Sequence, residues 1–240
     1  MIVELNHVGI TVRDLPTSLD FYSSRFDAKE VFRGWIPASR TEVVYLAMGQ
    51  SLVELLHPLD PAEDESFGLN HIAFMTNDLE ADFARLIANG VSGLSAPRPA
   101  GTGIGRLAFV QSPGGVRVEL IQRDLPLRGT DSTSQEFAST VRFAIETSAV
   151  QDEVHFFRDL LGMSGGVAGS EEADDPATRT LVLNSDVLVL IGLADSGVAS
   201  RLSHIAVSFP VIDGSRLGDQ ESGRRRERSP DPDGVLLLVD

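Results

Sequence analysis

Two histidines and two glutamates stand at matching points of an internal repeat. Asn6, His7, Asp14 and Leu15 recur 64 residues later as Asn70, His71, Asp78 and Leu79. The triplet Val53-Glu54-Leu55 recurs 65 residues later as Val118-Glu119-Leu120. A lone histidine at a strand end is ordinarily a packing residue, and a lone glutamate in a strand ordinarily faces water. Four such positions matched across a repeat point instead to one shared site. Imidazole nitrogens and carboxylate oxygens without sulfur suit a single divalent ion, Ni, Co, Mn, Fe or Zn, and the donor set does not choose among them. Four protein ligands on an octahedral ion leave two adjacent positions for oxygens of a small-molecule substrate. Such an ion polarises a carbonyl and stabilises the enediolate formed when the neighbouring C–H is deprotonated. Glu119 is the expected base, with Glu54 opposite it as partner acid or second base.

Strand alternation is what must aim these side chains. Glu54 lies between Val53 and Leu55 and Glu119 between Val118 and Leu120, so each points away from its apolar neighbours. The first unit reads as a strand over Val8–Val12, a helix through Ser18–Tyr22 entered by Asp14-Leu15-Pro16, and strands near Lys29–Phe32, Thr41–Ala47 and Ser51–Leu56. The second unit repeats this order, with a strand at His71–Met75 and a helix at Leu79–Ala88. Strands near Arg106–Val110 and Val116–Ile121 follow, the last entered by Pro113-Gly114-Gly115. Paired about a pseudo-twofold axis, two such units bring their His and Glu residues together in one cupped sheet. The predicted class is α+β, with paired βαβββ modules forming a cupped, barrel-like mixed sheet. Two such domains are expected, the second truncated.

The predicted domains are residues 1–123 (modules 1–60 and 66–123), a linker over 124–137, and a degenerate copy over 138–240. The third unit starts at Val141–Ile145 and carries Phe156–Gly162 at the place of the first helix, with strands at Thr180–Leu183 and Val187–Ile191. The fourth opens at Leu202–Ala206, passes through a polar stretch from Asp213 to Pro230, and offers one clear strand, Gly234–Val239. Here the ligand positions decay. His7 corresponds to Arg142, Glu54 to Val189 and Glu119 to Leu238, and only His204 survives. The chemistry is therefore assigned to residues 1–123, and the second half to packing, dimerisation or covering of the active domain.

Composition excludes several classes. The formal net charge of −15 argues against nonspecific nucleic-acid binding. The basic cluster Arg224-Arg225-Arg226 with Arg228 reads as a solvated loop. No apolar run reaches the roughly 18 residues of a membrane span, and no signal peptide is read at Met1–Leu5. With no cysteine there is neither a disulfide framework nor a thiolate metal site. A cytoplasmic location is expected, and a homodimer is among the assemblies considered.

Several stretches resemble the vicinal oxygen chelate superfamily, which includes glyoxalase I, methylmalonyl-CoA epimerase, type I extradiol dioxygenases and bleomycin- and fosfomycin-resistance proteins. They are Leu5–Leu15, Val53–Leu59, Leu69–Phe74, Gly101-Thr102-Gly103 with Arg106, and Pro113–Leu120. The likeness covers residues 1–123 well and residues 138–240 weakly. It implies the paired βαβββ fold and a metal held by His7, Glu54, His71 and Glu119. Val53–Leu59 and Gly101–Gly103 look most like methylmalonyl-CoA epimerase, while the His, Glu, His, Glu pattern equally suits glyoxalase I. An isomerase, epimerase or lyase abstracting a proton beside a carbonyl or thioester is the leading expectation.

Arg106 is a candidate partner for a substrate carboxylate or phosphate, and Tyr45 and His57 are candidate pocket residues. The glycines from 101 to 105 make no dinucleotide fingerprint, because no strand-to-helix turn holds them. Two alternatives stand beside the leading one. An Fe(II) ring-cleaving dioxygenase would use His7, His71 and Glu119, and Glu54 counts against it by filling a position that O2 or catechol needs. A non-enzymatic binding or resistance protein would sequester a compound in the cup.

Overall fold

A computed structural model describes residues 1–49, 51–125, 127, 140–165, 178–184, 186–193, 201–208 and 227–239. The first module runs β1 (Ile2–Thr11), α1 (Leu15–Phe26), β2 (Lys29–Ile36), β3 (Thr41–Met48) and β4 (Ser51–Pro58). The second runs β5 (Gly68–Thr76), α2 (Leu79–Ala88), β6 (Ser92–Pro99), β7 (Arg106–Gln111) and β8 (Arg117–Gln122). The repeated aspartates prove to be helix caps. Asp14 accepts from the Thr17 amide at 2.8 Å and Asp78 from the Ala81 amide at 3.1 Å, satisfying donors that a first helical turn leaves open.

These eight strands form one sheet in the order β2-β3-β4-β1-β5-β8-β7-β6. Its four central strands are those expected to carry ligands. Along them one face is apolar: Val8, Ile10, Val53, Leu55, Ile72, Phe74, Val118 and Leu120 join the core that also holds Tyr22, Phe26, Leu79 and Leu86 of the helices. The opposite face is the inside of the cup. The two ends of the sheet approach each other there, and a Cβ on Gly101 would stand 2.6 Å from Ile36 Cγ2. The glycines after β6 thus let that loop meet β2. Strand β6 is absent from the sequence reading because it carries Pro97 and Pro99 and is largely exposed, features tolerated at a sheet edge.

The second half repeats the plan with β9 (Thr140–Thr147), α3 (Val150–Val154) widening into a π-helical segment His155–Leu160, β10 (Ser164–Gly165), β11 (Thr178–Leu183) and β12 (Asp186–Gly192). Strands β13 (Arg201–Ser208), β14 (Glu227–Pro230) and β15 (Leu236–Val239) complete it. Among the described residues the order β10-β11-β12-β9-β13-β15-β14 copies the first sheet up to β7, without a counterpart of β6. The fourth unit therefore holds more than the one strand expected. Strand β14 lies at the end of the polar stretch, and backbone pairing with β15 defines it where no apolar pattern does. Most of the expected linker (126 and 128–139) and Arg224–Arg226 lie outside the described residues. Leu127 is buried against Val43, Tyr45 and Leu52.

The halves share one hydrophobic core, in which Phe74 and Phe157 stack with centroids 6.0 Å apart. Reciprocal polar contacts flank it. Tyr22 donates its hydroxyl to Asp231 at 2.8 Å and Ser18 to Asp233 at 3.1 Å; on the other side Ser112 and the Gly114 amide donate to Glu153. Burial, aided by Asp231, pushes the Tyr22 phenol well above its ordinary pKa. Removing the Tyr22 hydroxyl leaves a buried carboxylate oxygen short of a donor, a loss of about 1–3 kcal/mol. Tyr22→Phe is expected to lower the urea midpoint of a single unfolding transition that carries both halves. Two resolved transitions, only one of them shifted, would contradict a shared core.

Candidate metal centre

Each of the four central strands supplies one candidate ligand: Glu54 from β4, His7 from β1, His71 from β5 and Glu119 from β8. The register sets them in two rows. In one, Gly9 pairs with both Glu54 and His71; in the other, Ala73 pairs with both His7 and Glu119. A small residue therefore lies between two ligands in each row, with its Cβ direction toward the site. At Gly9 the space is already taken. A Cβ there would stand 2.1 Å from Cε1 and 2.4 Å from Nδ1 of His71.

All four side chains are buried, with exposures of 0% for His7, 7% for Glu54, 3% for His71 and 4% for Glu119. His7 Nδ1 lies 2.9 Å from Asn6 Oδ1, and His71 Nδ1 lies 3.0 Å from Asn70 Oδ1. An amide oxygen can only accept, so each Nδ1 carries the hydrogen and each Nε2 faces the cup. The two Nε2 atoms are 3.2 Å apart. Glu54 Oε2 lies 3.5 Å from His7 Nε2 and 3.4 Å from His71 Nε2, and Glu119 Oε2 lies 3.2 and 3.4 Å from the same atoms. His7, His71 and Glu119 offer donor atoms all within 4.8 Å of one another.

This donor set fits a divalent cation. Separations of 3.2–3.5 Å are those of neighbouring donors around an ion with bonds near 2.0–2.2 Å. Two imidazole nitrogens that face each other need a proton or a cation between them. Glu119 Oε2 is buried and makes no hydrogen bond of acceptable geometry, although it approaches both histidines. Hydrogen bonds to the asparagines behind the imidazoles complete the set. Asn6 accepts from Arg123 at 2.8 Å, and Asn70 donates to Thr11 at 3.2 Å.

Protons fill the cation's role in the metal-free chain. Burial raises the carboxyl pKa of both glutamates, but the histidines outweigh it, bringing Glu119 down to about 2 and Glu54 well below its ordinary value. Burial likewise lowers His71, and Glu119 and Glu54 outweigh it, lifting the imidazole to about 9.

Above these residues opens a cavity of about 660 Å³. Tyr45 lines it, edge-on to His7 at 5.1 Å and opposite its cross-strand partner Glu54. Burial, then the two glutamates, pushes its phenol well above the ordinary value. His57 and Arg106 are not among the lining residues. Arg106 is instead ion-paired to Glu80 of α2, because β7 begins beside that helix and its first side chain faces outward. Sequence reading missed Arg98, Arg117 and Arg123, which do line the cavity, and the roles of Gly9, Asn6 and Asn70. The repeated Asn-His pair was the available signal for the asparagines. Phe109 stands edge-on to His71 at 5.7 Å, and Arg117 lies over its ring at 4.0 Å.

The second sheet keeps the register and loses the donors. Ala144 pairs with Val189 and with His204 where the first sheet pairs Gly9 with Glu54 and His71. Ala206 pairs with Arg142 and Leu238 where Ala73 pairs with His7 and Glu119.

Residues 4–120 match the model of the Glyoxalase/Bleomycin resistance protein/Dioxygenase superfamily. The chain is 30% identical to lactoylglutathione lyase GLX1 of Arabidopsis thaliana, over 98% of this chain and 90% of that protein. It is 29% identical to the mitochondrial methylmalonyl-CoA epimerase of Homo sapiens, over 49% of this chain and 73% of that one. Among solved structures, a variant of 4-hydroxymandelate synthase from Streptomyces coelicolor shares the fold. Its TM-score is 0.62 at 17% identity, covering 86% of this chain and 71% of that one.

Two outcomes follow from the centre's geometry. Gly9→Ala is expected to displace the His71 ring and abolish stoichiometric metal binding while the chain stays folded by circular dichroism; unchanged metal content would refute the packing argument. The second concerns protons. The His71 contribution to metal-free stability is complete below about 6.5 and is lost as pH rises through about 9. That of Glu119 is complete above about 4.5 and is lost as pH falls through about 2. Metal loading at pH 7 should therefore release a proton from His71, and the release should vanish above pH 9. Calorimetric titration with Zn²⁺ in buffers of different ionisation enthalpy measures it, and no buffer dependence at pH 7 would contradict the assignment.

Proposed function

The chain belongs to the glyoxalase/bleomycin resistance protein/dioxygenase superfamily, and on that premise we propose that it is a metal-dependent isomerase, epimerase or lyase acting on a small molecule with an acidic C–H beside a carbonyl or thioester. The observation that carries this reading is the convergence of His7, Glu54, His71 and Glu119, the last three of which line the cavity. These four residues would hold one divalent ion. When bound, that ion supplies Lewis acidity, polarising the substrate carbonyl and stabilising the enediolate left by deprotonation.

The chain's own residues divide the remaining work. Glu119 and Glu54 each lie within 3.5 Å of both histidines. In this reading Glu119 takes the substrate proton and Glu54 is its partner on the other side. Returning that proton to the adjacent carbon gives isomerisation. Epimerisation needs a second proton at the opposite face, which Glu54 would take up from solvent and pass on, with Glu119 keeping the proton it removed. Phe32, Ile36 and Leu107 keep the cavity wall apolar and limit the access of water. The relatives named lactoylglutathione lyase and methylmalonyl-CoA epimerase mark the two substrate types to try first. The second half, lacking three of the four donors, serves to cover the convex face of the active sheet.

A second reading rests on the tight grouping of His7, His71 and Glu119, a facial triad for ring-cleaving dioxygenase chemistry. Glu54, within 3.5 Å of both histidines, weighs against it. Metal analysis of the purified chain separates the two. Stoichiometric metal lost in both Glu54→Gln and Glu119→Gln supports the four-ligand centre; metal retained in Glu54→Gln favours the triad, and no metal under any loading sinks both. In D2O, the loaded chain is expected to exchange the acidic C–H of its substrate, with Glu119→Gln slower by about 10²–10⁴-fold.

A further inference from the structure

The two glutamates of the centre face different rings. Across the β3–β4 pair Glu54 stands opposite Tyr45, and across the β7–β8 pair Glu119 stands opposite Phe109. The two rings hold equivalent places. Both are buried, at 4% and 7% exposure, and both line the cavity. Tyr45 lies edge-on to His7 with centroids 5.1 Å apart, and Phe109 lies edge-on to His71 at 5.7 Å. A guanidinium covers each, that of Arg123 at 4.8 Å from the Tyr45 ring centre and that of Arg117 at 4.0 Å from the Phe109 centre. What separates the rings is one phenol oxygen.

Packing asks for a ring here and not for a hydroxyl, since Phe109 fills the equivalent space without one. The second sheet shows that the fold needs neither. There Thr180 stands opposite Val189, where Tyr45 stands opposite Glu54. The oxygen has a chemical use instead. Each glutamate turns its Oε2 toward the two histidine Nε2 atoms. A buried carboxylate has further lone pairs that call for donors. The phenol beside Glu54 has an O–H to give, and the phenyl ring beside Glu119 has none. Both carboxylates bear on the phenol, Glu54 more strongly than Glu119. A donor behind a metal-binding carboxylate fixes its orientation, and a carboxylate without one is easier to turn.

We propose that Tyr45 is a positioning residue: its hydroxyl donates to Glu54 and holds that carboxylate as the standing ligand of the ion, so that Glu119 is the one that turns to take the substrate proton. The proton passes from the C–H to a Glu119 oxygen. The electron pair of the broken bond stays on the substrate as the enediolate, and Tyr45 keeps its own hydrogen throughout. The inference deepens the reaction proposed above and rests on it for the proton step alone; the hold on Glu54 is read from ion binding.

Tyr45→Phe removes the oxygen, keeps the ring and makes the surroundings of Glu54 a copy of those of Glu119. Zn²⁺ affinity of the full chain, measured by competition with a chelating dye, is expected to fall about 10–100-fold. The visible spectrum of the Co²⁺-loaded variant should change as Glu54 shifts, with circular dichroism unaltered. Tyr45→Phe combined with Phe109→Tyr carries the hydroxyl across the centre. This swap should return Zn²⁺ affinity to near the wild-type value. It should nevertheless slow deuterium uptake at the acidic C–H of methylmalonyl-CoA or S-lactoylglutathione by about tenfold or more, because the carboxylate then held is the one that must move. A hydroxyl that served packing alone would move affinity and exchange together. Tyr45→Phe binding Zn²⁺ within about twofold of wild type, with an unchanged Co²⁺ spectrum, would overturn the positioning role. So would a swap variant that exchanges at the wild-type rate. If the wild-type chain exchanges neither compound, the proposed reaction falls, and the Zn²⁺ affinities alone decide the hold on Glu54.

Discussion

Two carboxylates and two imidazoles meet within 3.5 Å in a place that water hardly reaches. Burying one uncompensated carboxylate costs several kcal/mol, and burying two side by side adds their repulsion. The arrangement holds only with positive charge at its centre, from a proton on His71 or from a cation. That requirement organises the surroundings. The asparagines fix each Nδ1 hydrogen outward, so that both Nε2 atoms face the centre. Gly9 gives up its side chain so that the His71 ring can lie across the strand. The apolar faces of the same four strands pack on the helices, which keeps the donors from relaxing away from one another.

The second sheet is a natural control for this constraint. It has the same strand order and the same register, yet its four corresponding positions carry Arg142, Val189, His204 and Leu238. Where Gly9 had to be glycine, Ala144 stands. The fold therefore does not need the centre; the centre needs the fold. Freed of ligands, the second half keeps its role in the shared core, where Phe157 stacks on Phe74 and Asp231 receives Tyr22.

Charge on the cavity walls carries a second division of labour. The two modules contribute alike to the centre, one His and one Glu each, but differ in the cavity above it. The first module has Gly34, Leu52 and Pro58 at the places of Arg98, Arg117 and Arg123, which line the cavity. Repetition of the backbone gave a symmetric centre, and side chains outside it made the cavity asymmetric.

The repeat of Asn-His and Val-Glu-Leu was enough to determine the module order, the strands bearing the donors, and the face to which each glutamate turns. Alternation in a strand is a local property, and a glutamate between two buried aliphatic residues has only one direction left. The sequence also located the loss of donors in the second half, because register follows the same pattern in every copy. Three things were decided only by tertiary structure. Strands β6 and β14 are defined by pairing along an edge, which no apolar period announces. Arg106 turns to Glu80 and Arg117 to the cavity because of where each strand begins relative to α2 and the cup. The indispensability of Gly9 depends on a cross-strand neighbour 62 positions away in the chain, and such distances close only when the sheet forms.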